Sequence, residues 1–366
     1  MAAELVFVCG NLYPYNLGGA EVFNYYLMRS MATDCKVTCI NTKTDLKKDG
    51  IIHQKINASF LIALLFPFTV ALSLIAKKDK NQTHVILSFS RSKWFYWVYY
   101  PILKKLFGIK YTIIIHGGGL TKWRFKAPFK WFFRNANHVI GISERIQNEY
   151  HARTGVDVKF MPPLIPFQLS DLSKLEARKR FDIDSQASVI LQVGSLKKLK
   201  HPETAVHALS ELKADKCIPE NILLVFAGDG PQRPELEGLV KDLGLKNQVR
   251  FLGNVARHEI KDVYKLADYY VIASDFEGTP LSMLEAMANR IPVLASNAPG
   301  INTIIDHLEN GLLFTIGNGK ELGKLIENVV ANTDLATTLT TGAARTLNVR
   351  YDHQKMLEQY KRMWNI

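Results

Sequence analysis

Two glutamates with seven residues between them stand where a short apolar run gives way to a helix-like stretch, Asp275-Phe-Glu-Gly-Thr-Pro-Leu-Ser-Met-Leu-Glu285. A strand signal ends near Ala273, Gly278 and Pro280 mark a loop, and the helix signal begins near Leu281. A helix start of this kind offers unpaired backbone N–H groups and the positive end of the helix dipole, which suits a diphosphate. Glu277 falls in the loop, and Glu285 lies about one turn inside the helix by the 3.6-residue period. One carboxylate can then reach a sugar carried on that diphosphate, while the other accepts from the two hydroxyls of a ribose. Taken singly, either glutamate reads equally well as a stray acid beside a capped surface helix.

Other residues could serve the same chemistry. Lys200 follows the apolar run Ser188–Val193 and the segment Val193-Gly194-Ser195-Leu196. Gly18-Gly19-Ala20-Glu21 falls between the first strand signal and the first helix signal, where glycines let backbone amides approach a phosphate closely. His116 ends another strand signal and is followed by Gly117-Gly118-Gly119. A lone histidine or a lone Gly-Gly turn is ordinarily structural, so both depend on context.

That context is a set of segments. With Ala227-Gly228-Asp229-Gly230-Pro231, Phe251-Leu252-Gly253 and Asn310-Gly311-Leu312, the glutamate pair resembles the pattern of the retaining glycosyltransferases of family 4, the group 1 enzymes of GT-B fold. The likeness runs through nearly all of the second half of the chain and is thinner in the first. It implies a nucleotide diphosphate sugar donor, with a UDP-sugar the favoured choice. It implies donor contacts from Gly18, Gly19, Ser195, Lys200, Gly253, Glu277, Gly278, Thr279, Pro280, Leu281 and Glu285. Glu277, His116 and Lys200 are then the catalytic residues, with His116 near the transferred sugar. No metal or other cofactor is implied. One departure matters: the family arginine that helps neutralise the diphosphate is Ser195 here, so Lys200 carries more of that task, or Lys197 and Lys198 substitute. Asp182-Ile183-Asp184 has the Asp-x-Asp string of metal-dependent transferases of the other main fold, but it precedes a strand, away from these residues, and reads as a solvated turn.

The elements needed to hold these residues are legible as repeated strand–helix units. Leu5–Cys9, Lys36–Ile40, Thr83–Phe89, Tyr111–Ile115, His138–Ile142 and Val158–Met161 are short apolar or β-branched runs. Helix-length stretches such as Glu21–Met31 and Glu144–His151 separate several of them. Prolines at 162, 163 and 166 close this half, and the polar, helix-like stretch Asp171–Arg180 reads as a linker region. The pattern restarts with Ser188–Val193, Ile222–Ala227, Gln248–Leu252, Tyr269–Ala273, Pro292–Ser296 and Gly311–Phe314. Helix patterns lie between them at Glu203–Ala214, Pro234–Leu243, Glu259–Leu266 and Ser282–Asn289. The expected fold is α/β: two Rossmann-like doubly wound domains facing a central cleft. They span residues 1–166, facing acceptor and membrane, and residues 167–348, binding the nucleotide-sugar, with 349–366 a terminal helix packing back on the first.

The charge is unevenly shared. Residues 1–160 hold 22 Lys/Arg against 9 Asp/Glu and the rest 24 against 25, so the net +12 belongs to the first half. From Lys80 to Ser143 there is no acid at all, and 11 basic residues alternate with rings such as Trp94, Trp97, Tyr99, Trp123 and Trp131. This composition suits an anionic bilayer surface and a glycan or lipid-linked acceptor in cell-surface polysaccharide or glycolipid synthesis. The plainer alternative makes the rings core and the charges solvation. Single-stranded nucleic acid also fits basic–aromatic interleaving, but the donor motif speaks against it. Ala58–Ala76 is an uncharged run of 19 residues broken by Pro67, read as a buried or surface-lying helix that meets the spanning length. With no basic leader and four irregularly spaced cysteines, the expected place is the cytoplasm, peripheral on the inner face of the cell membrane. Two rival functions share the pocket: a nucleotide-sugar epimerase, and a non-catalytic nucleotide-sugar-binding protein at the membrane.

Overall fold

The structure is a computed structural model and describes residues 3–9, 19–41, 47–55, 83–89, 96–116, 127–164, 166–215 and 221–366. The chain divides into two compact units, Met1–Pro166 with Tyr351–Ile366, and Phe167–Arg350. Gly18, Gly117-Gly118-Gly119, Trp94, Trp123, Cys217 and the run Ala58–Ala76 lie outside the described residues.

The first unit is built on an eight-stranded sheet. Its strands are β1 (Glu4–Val8), β2 (Lys36–Asn41), β3 (Lys47–Lys48), β4 (Ile51–Lys55), β5 (Thr83–Phe89), β6 (Lys110–Ile115), β7 (His138–Gly141) and β8 (Lys159–Phe160), in the order β3-β4-β2-β1-β5-β6-β7-β8. All neighbours are parallel except β3 and β4. Leu5, Val6, Phe7 and Val8 are all buried, as are Ile113, Ile114 and Ile115, so these strands are covered on both faces and read as unbroken apolar runs. The covering helices are α1 (Gly19–Met31), α2 (Tyr96–Phe107), α3 (Ala127–Asn135) and α4 (Glu144–Thr154). Strands β3 and β4 are absent from the sequence reading, yet a signal was present. Asp49 and Gly50 both take positive φ, 52° and 78°, the two-residue hairpin turn that an Asp-Gly pair favours.

The second unit carries six parallel strands: β9 (Ser188–Val193), β10 (Ile222–Ala227), β11 (Val249–Gly253), β12 (Tyr269–Ile272), β13 (Val293–Ser296) and β14 (Leu312–Phe314). Their order is β11-β10-β9-β12-β13-β14, a doubly wound sheet whose winding reverses between β9 and β12. Helices α5 (Lys174–Arg180), α6 (Pro202–Asp215), α7 (Arg233–Asp242), α8 (Ile260–Leu266), α9 (Leu281–Ala288), α10 (Gly319–Ala331) and α11 (Thr333–Arg350) complete it. The stretch expected to be a linker contains α5, which is part of this unit. Ser173 and Glu176 close its first turn as a capping box. Arg178 then donates to Asp268 at 2.7 Å and Arg180 pairs with Asp262 on α8.

The last helix, α12 (His353–Trp364), belongs to the first unit although the whole second unit precedes it in the chain. Asp352 caps it by accepting from Lys355 N at 2.8 Å. Met356, Leu357, Tyr360 and Trp364 form one apolar face in the first unit's core, and the Trp364 indole donates to Thr112 Oγ1 on β6 at 3.1 Å. Most described rings of the basic stretch are core as well: Tyr100, Phe129, Phe132 and Phe133 are buried. An aromatic docking surface made of all these rings is therefore ruled out. Trp131 is exposed. Among the described residues no helix is long and apolar enough to cross a membrane, and Cys9, Cys35 and Cys39 are buried free thiols.

Candidate functional site

Where winding reverses in an open parallel sheet, the loops leaving the two central strands part and leave a crevice at the carboxyl edge. In the second unit those loops are Gly194–His201 after β9 and Ala273–Pro280 after β12. They are latched together. Asp275 N donates to Leu199 O at 3.0 Å, and His201 Nε2 lies 2.7 Å from Asp275 Oδ1 while its Nδ1 lies 2.8 Å from Glu203 Oε1. Burial alone would lower the imidazole pKa of His201. The two carboxylates outweigh it and hold the pKa above its ordinary value.

On this latch the Lys200 ammonium donates to Glu277 Oε1, and Ser274 Oγ donates to the same oxygen at 2.7 Å. The Glu277 side chain is 12% exposed. Its backbone is fixed from below: Glu277 N donates to Pro299 O at 3.1 Å, and Gly300 lies flat on the Glu277 carbonyl. A Cβ on Gly300 would stand 1.9 Å from that oxygen, and its φ of +89° is one that side chains resist. A second glycine seats the other loop: Gly228, φ 149°, approaches Gly194 so closely that a Cβ would meet its carbonyl oxygen at 1.9 Å. Gly194 N and Leu196 N then donate to Ala227 O and Asp229 O, each at 3.0 Å. Gly253 ends β11 and bridges to Gly228.

Glu285 sits one turn into α9 and is nearly buried. Arg257 Nη2 donates to its Oε1, and the Tyr264 hydroxyl donates to its Oε2 at 2.9 Å. Burial, with the Glu285 charge beside it, pushes the Tyr264 phenol well above its ordinary pKa, so it remains a donor. The helix itself begins after Pro280 with no side-chain cap and no acid in its first turn; Leu281 N donates to Thr279 O at 2.9 Å and Met283 N to Pro280 O at 3.0 Å, so it is chiefly the positive end of the helix dipole that is offered to an anion. Gly278, Thr279, Pro280 and Leu281 form that approach.

Of the expected residues, the structure therefore brings together Lys200, Glu277, Gly278, Thr279, Pro280, Leu281 and Glu285, with Ser195 on the facing loop. Lys197 and Lys198 are exposed on that loop and pair with neither glutamate. Sequence reasoning missed Arg257 and Tyr264, which lie 28 and 21 positions from Glu285 and carry no spacing signal. His116 belongs to the first unit, just beyond β6. It meets Phe23 edge-on at a centroid distance of 4.9 Å, and both ring nitrogens are shut from water without a hydrogen-bond partner among the described residues. Burial lowers its pKa to about 3, so the ring is neutral at pH 7. Gly19 opens α1. Asp182 is a left-handed turn residue paired with Arg250 at the surface, and Asp184 caps Gln186 N, as a solvated turn requires. Among the described residues no group of three or more His, Cys, Asp or Glu side chains is arranged to hold a metal ion.

Known proteins share both sequence and architecture. The family model described as glycosyl transferases group 1 matches residues 173–346, and that described as glycosyltransferase family 4 matches residues 17–167. An N-acetyl-D-galactosaminyltransferase of Campylobacter jejuni that extends a diphosphoundecaprenol-linked glycan is 30% identical over 60% of this chain and 57% of its own length. The N-acetyl-alpha-D-glucosaminyl L-malate synthase of Bacillus anthracis is 22% identical over 72% of this chain and 70% of its own. Two further relatives, each 29% identical, are matched over 49% and 50% of their length, so the chain spans about half of those proteins. In fold, Anabaena HepE in complex with UDP superposes with a TM-score of 0.81 at 18% identity, covering 99% of each chain. The two family models follow one another along the chain, and each coincides with one parallel-sheet unit. The chain belongs to glycosyltransferase family 4 and has the GT-B architecture of two Rossmann-like units.

Proposed function

We propose that the protein transfers a hexose or N-acetylhexosamine from a UDP-sugar to a glycan or lipid-linked acceptor, with retention at the anomeric carbon. The observation that carries this reading is the Lys200–Glu277 pair at the β9/β12 switch point, with Glu285 one turn inside the helix that follows, α9. The diphosphate lies against the open start of α9 and Lys200, and the ribose diol donates to Glu285. Glu277 Oε1 is occupied by Lys200 and Ser274, and Oε2 accepts from hydroxyls of the transferred sugar. As the sugar–phosphate bond breaks, negative charge grows on the leaving diphosphate, where Lys200 and the α9 amides stabilise it. The acceptor attacks from the same face, and the leaving phosphate takes its proton. His116, neutral at pH 7, does not relay protons. The names of the relatives support the substrate class, since several transfer sugars to lipid- or cell-surface-linked glycans and HepE is complexed with UDP-glucose.

The first unit is the acceptor-side, membrane-facing one in this reading, and the second holds the nucleotide. No divalent metal takes part, because Lys200 and the helix amides meet the diphosphate charge. Glu277→Gln keeps shape and removes charge. Turnover is expected to fall by about 100- to 1,000-fold, while the UDP dissociation constant moves less than about threefold. Wild-type turnover in that variant would remove Glu277 from the mechanism. Incubation of donor alone, with no epimerised sugar formed, separates transfer from isomerisation.

A further inference from the structure

The opposite edge of the second unit's sheet, where β12 and β13 begin, carries a cavity of about 420 Å³ whose chemistry the transfer reaction leaves unused. Lys174, Lys265 and Arg290 line it, with Asp268 as the acid among them. Asp268 is already neutralised by Lys174 and Arg178 and also accepts from Val189 N at 2.7 Å. Lys265 and Arg290 make no side-chain ion pair or hydrogen bond among the described residues. Two cations thus remain uncompensated on the wall of a cavity lined also by Tyr269 and Pro292.

Arg290 holds its place against backbone preference. Helix α9 ends with Ile291 N donating to Ala286 O at 3.1 Å and Arg290 N donating to Met287 O at 3.1 Å, the six-to-one closure whose turning residue is normally glycine. Here that residue is Arg290 at φ 59°. A glycine would make the turn without strain, so the conformational cost is borne with an unpaired guanidinium as the result.

We propose that this cavity is a second binding site, for a compact phosphorylated small molecule, separate from the donor site. Its phosphate lies between Lys265 and Arg290, and its organic part lies against Tyr269 and Pro292. The site has a route to the chemistry. Tyr264, one of the residues that line the cavity, is the one whose hydroxyl reaches Glu285, and Asn289, also on the wall, donates to the Glu285 carbonyl at 2.9 Å. Occupancy therefore alters UDP affinity, and UDP alters affinity for the phosphorylated ligand by the same factor. This coupling rests on the ribose role of Glu285; the cavity itself does not.

The test is thermal denaturation with UDP saturating, titrated separately with orthophosphate and with glucose 6-phosphate, on the wild type, Arg290→Gly and Lys265→Ala. A saturable rise in midpoint is expected in the wild type, with at least tenfold weaker response in each variant, even though Arg290→Gly starts from a higher midpoint. A stronger response to the ester identifies an organic phosphate, and equal responses identify free phosphate. No saturable rise, or a rise unchanged in both variants, overturns the site and leaves the cations as complements to the ends of α8 and α9. UDP titration at saturating phosphate then reads the coupling: an unaltered UDP dissociation constant refutes it. If UDP itself does not bind, the donor reading fails, while the phosphate response of the wild type against its variants still decides the site.

Discussion

A carboxylate that must accept from a diol has to stay ionised in a place with little water, and the protein supplies that condition around Glu285 with one cation and one phenol. Arg257 offsets the charge, and the Tyr264 hydroxyl, 2.9 Å from both Glu285 Oε2 and Ser282 O, offers its proton to the carboxylate and the carbonyl together while its oxygen cannot ionise in competition. Tyr264→Phe deletes that donor, and with it the contact to Ser282 O in the first turn of α9. A hydrogen bond to a charged group contributes about 1.5–3 kcal/mol, so urea denaturation should show a loss of stability in that range. The carboxylate, held then by Arg257 alone, is expected to turn from the ribose. The Michaelis constant for donor should rise by about tenfold with turnover within about twofold, and an unchanged Michaelis constant would separate Tyr264 from the donor site. The glutamates themselves were legible because a fixed spacing across one loop-to-helix junction is a local property. Arg257 and Tyr264 were not, since their approach to Glu285 is made by the folding of β11, α8 and α9 onto one another, and no period in the sequence encodes that distance.

Elements announced themselves where both faces of a strand are buried, as in β1, β6 and β9, and escaped where a short edge pair relies on turn chemistry, as in β3 and β4 around Asp49-Gly50. The C-terminal helix is the most informative case: the sequence reading packed it back on the first domain without a partner for it, and the structure joins it to Thr112 on β6, more than two hundred residues earlier. That junction contains a buried histidine. His84 Nε2 lies 2.8 Å from Thr112 Oγ1, and Thr112 accepts from the Trp364 indole, which leaves the threonine proton for the imidazole. Burial, with His138 stacked 5.9 Å away and Lys110 and Lys104 nearby, lowers the His84 pKa to about 3. The unfolded chain protonates His84 near its ordinary pKa of 6.5 and the folded one does not. Stability from this group is complete above about pH 6.5 and is lost as the pH falls towards 3, by up to about 1.4 kcal/mol per pH unit. His116 titrates in the same window and adds to the slope. His84→Gln should flatten the fall in midpoint between pH 6.5 and 4.5 relative to wild type. Parallel curves would show that His84 does not govern the docking of α12.

At the scale of the whole molecule the dominant fact is the +13 balance of residues 1–160 beside a nearly neutral remainder. A field of one sign over one half orients a protein at an oppositely charged surface and does little for its fold. The described face that would meet such a surface lies on α2 and α3. Val98, Ile102 and Leu106 recur at helical spacing on α2 and are exposed, Leu106 to 67%, and Trp131 stands exposed on α3, which is joined to α2 by Lys104 donating to Asn135 O at 2.8 Å. Lys105 and Arg134 are exposed beside them. Charge attracts and the apolar stripe anchors, so the two contributions should separate experimentally. Flotation with anionic phosphatidylglycerol vesicles at 0.1 M salt is expected to carry the protein, and neutral phosphatidylcholine vesicles are not. Raising salt to 1 M shortens the screening length from about 10 Å to about 3 Å and should release most of it. Lys105→Glu with Arg134→Glu should reduce both binding and its salt dependence, by about fivefold or more per residue, from about 1 kcal/mol for each basic side chain near the surface. Leu106→Asp with Trp131→Ala should weaken binding at least tenfold while leaving the salt dependence of what remains largely intact. If both double variants float like the wild type, the bilayer is met by some other face, and the excess charge of the first half must be explained by the acceptor alone.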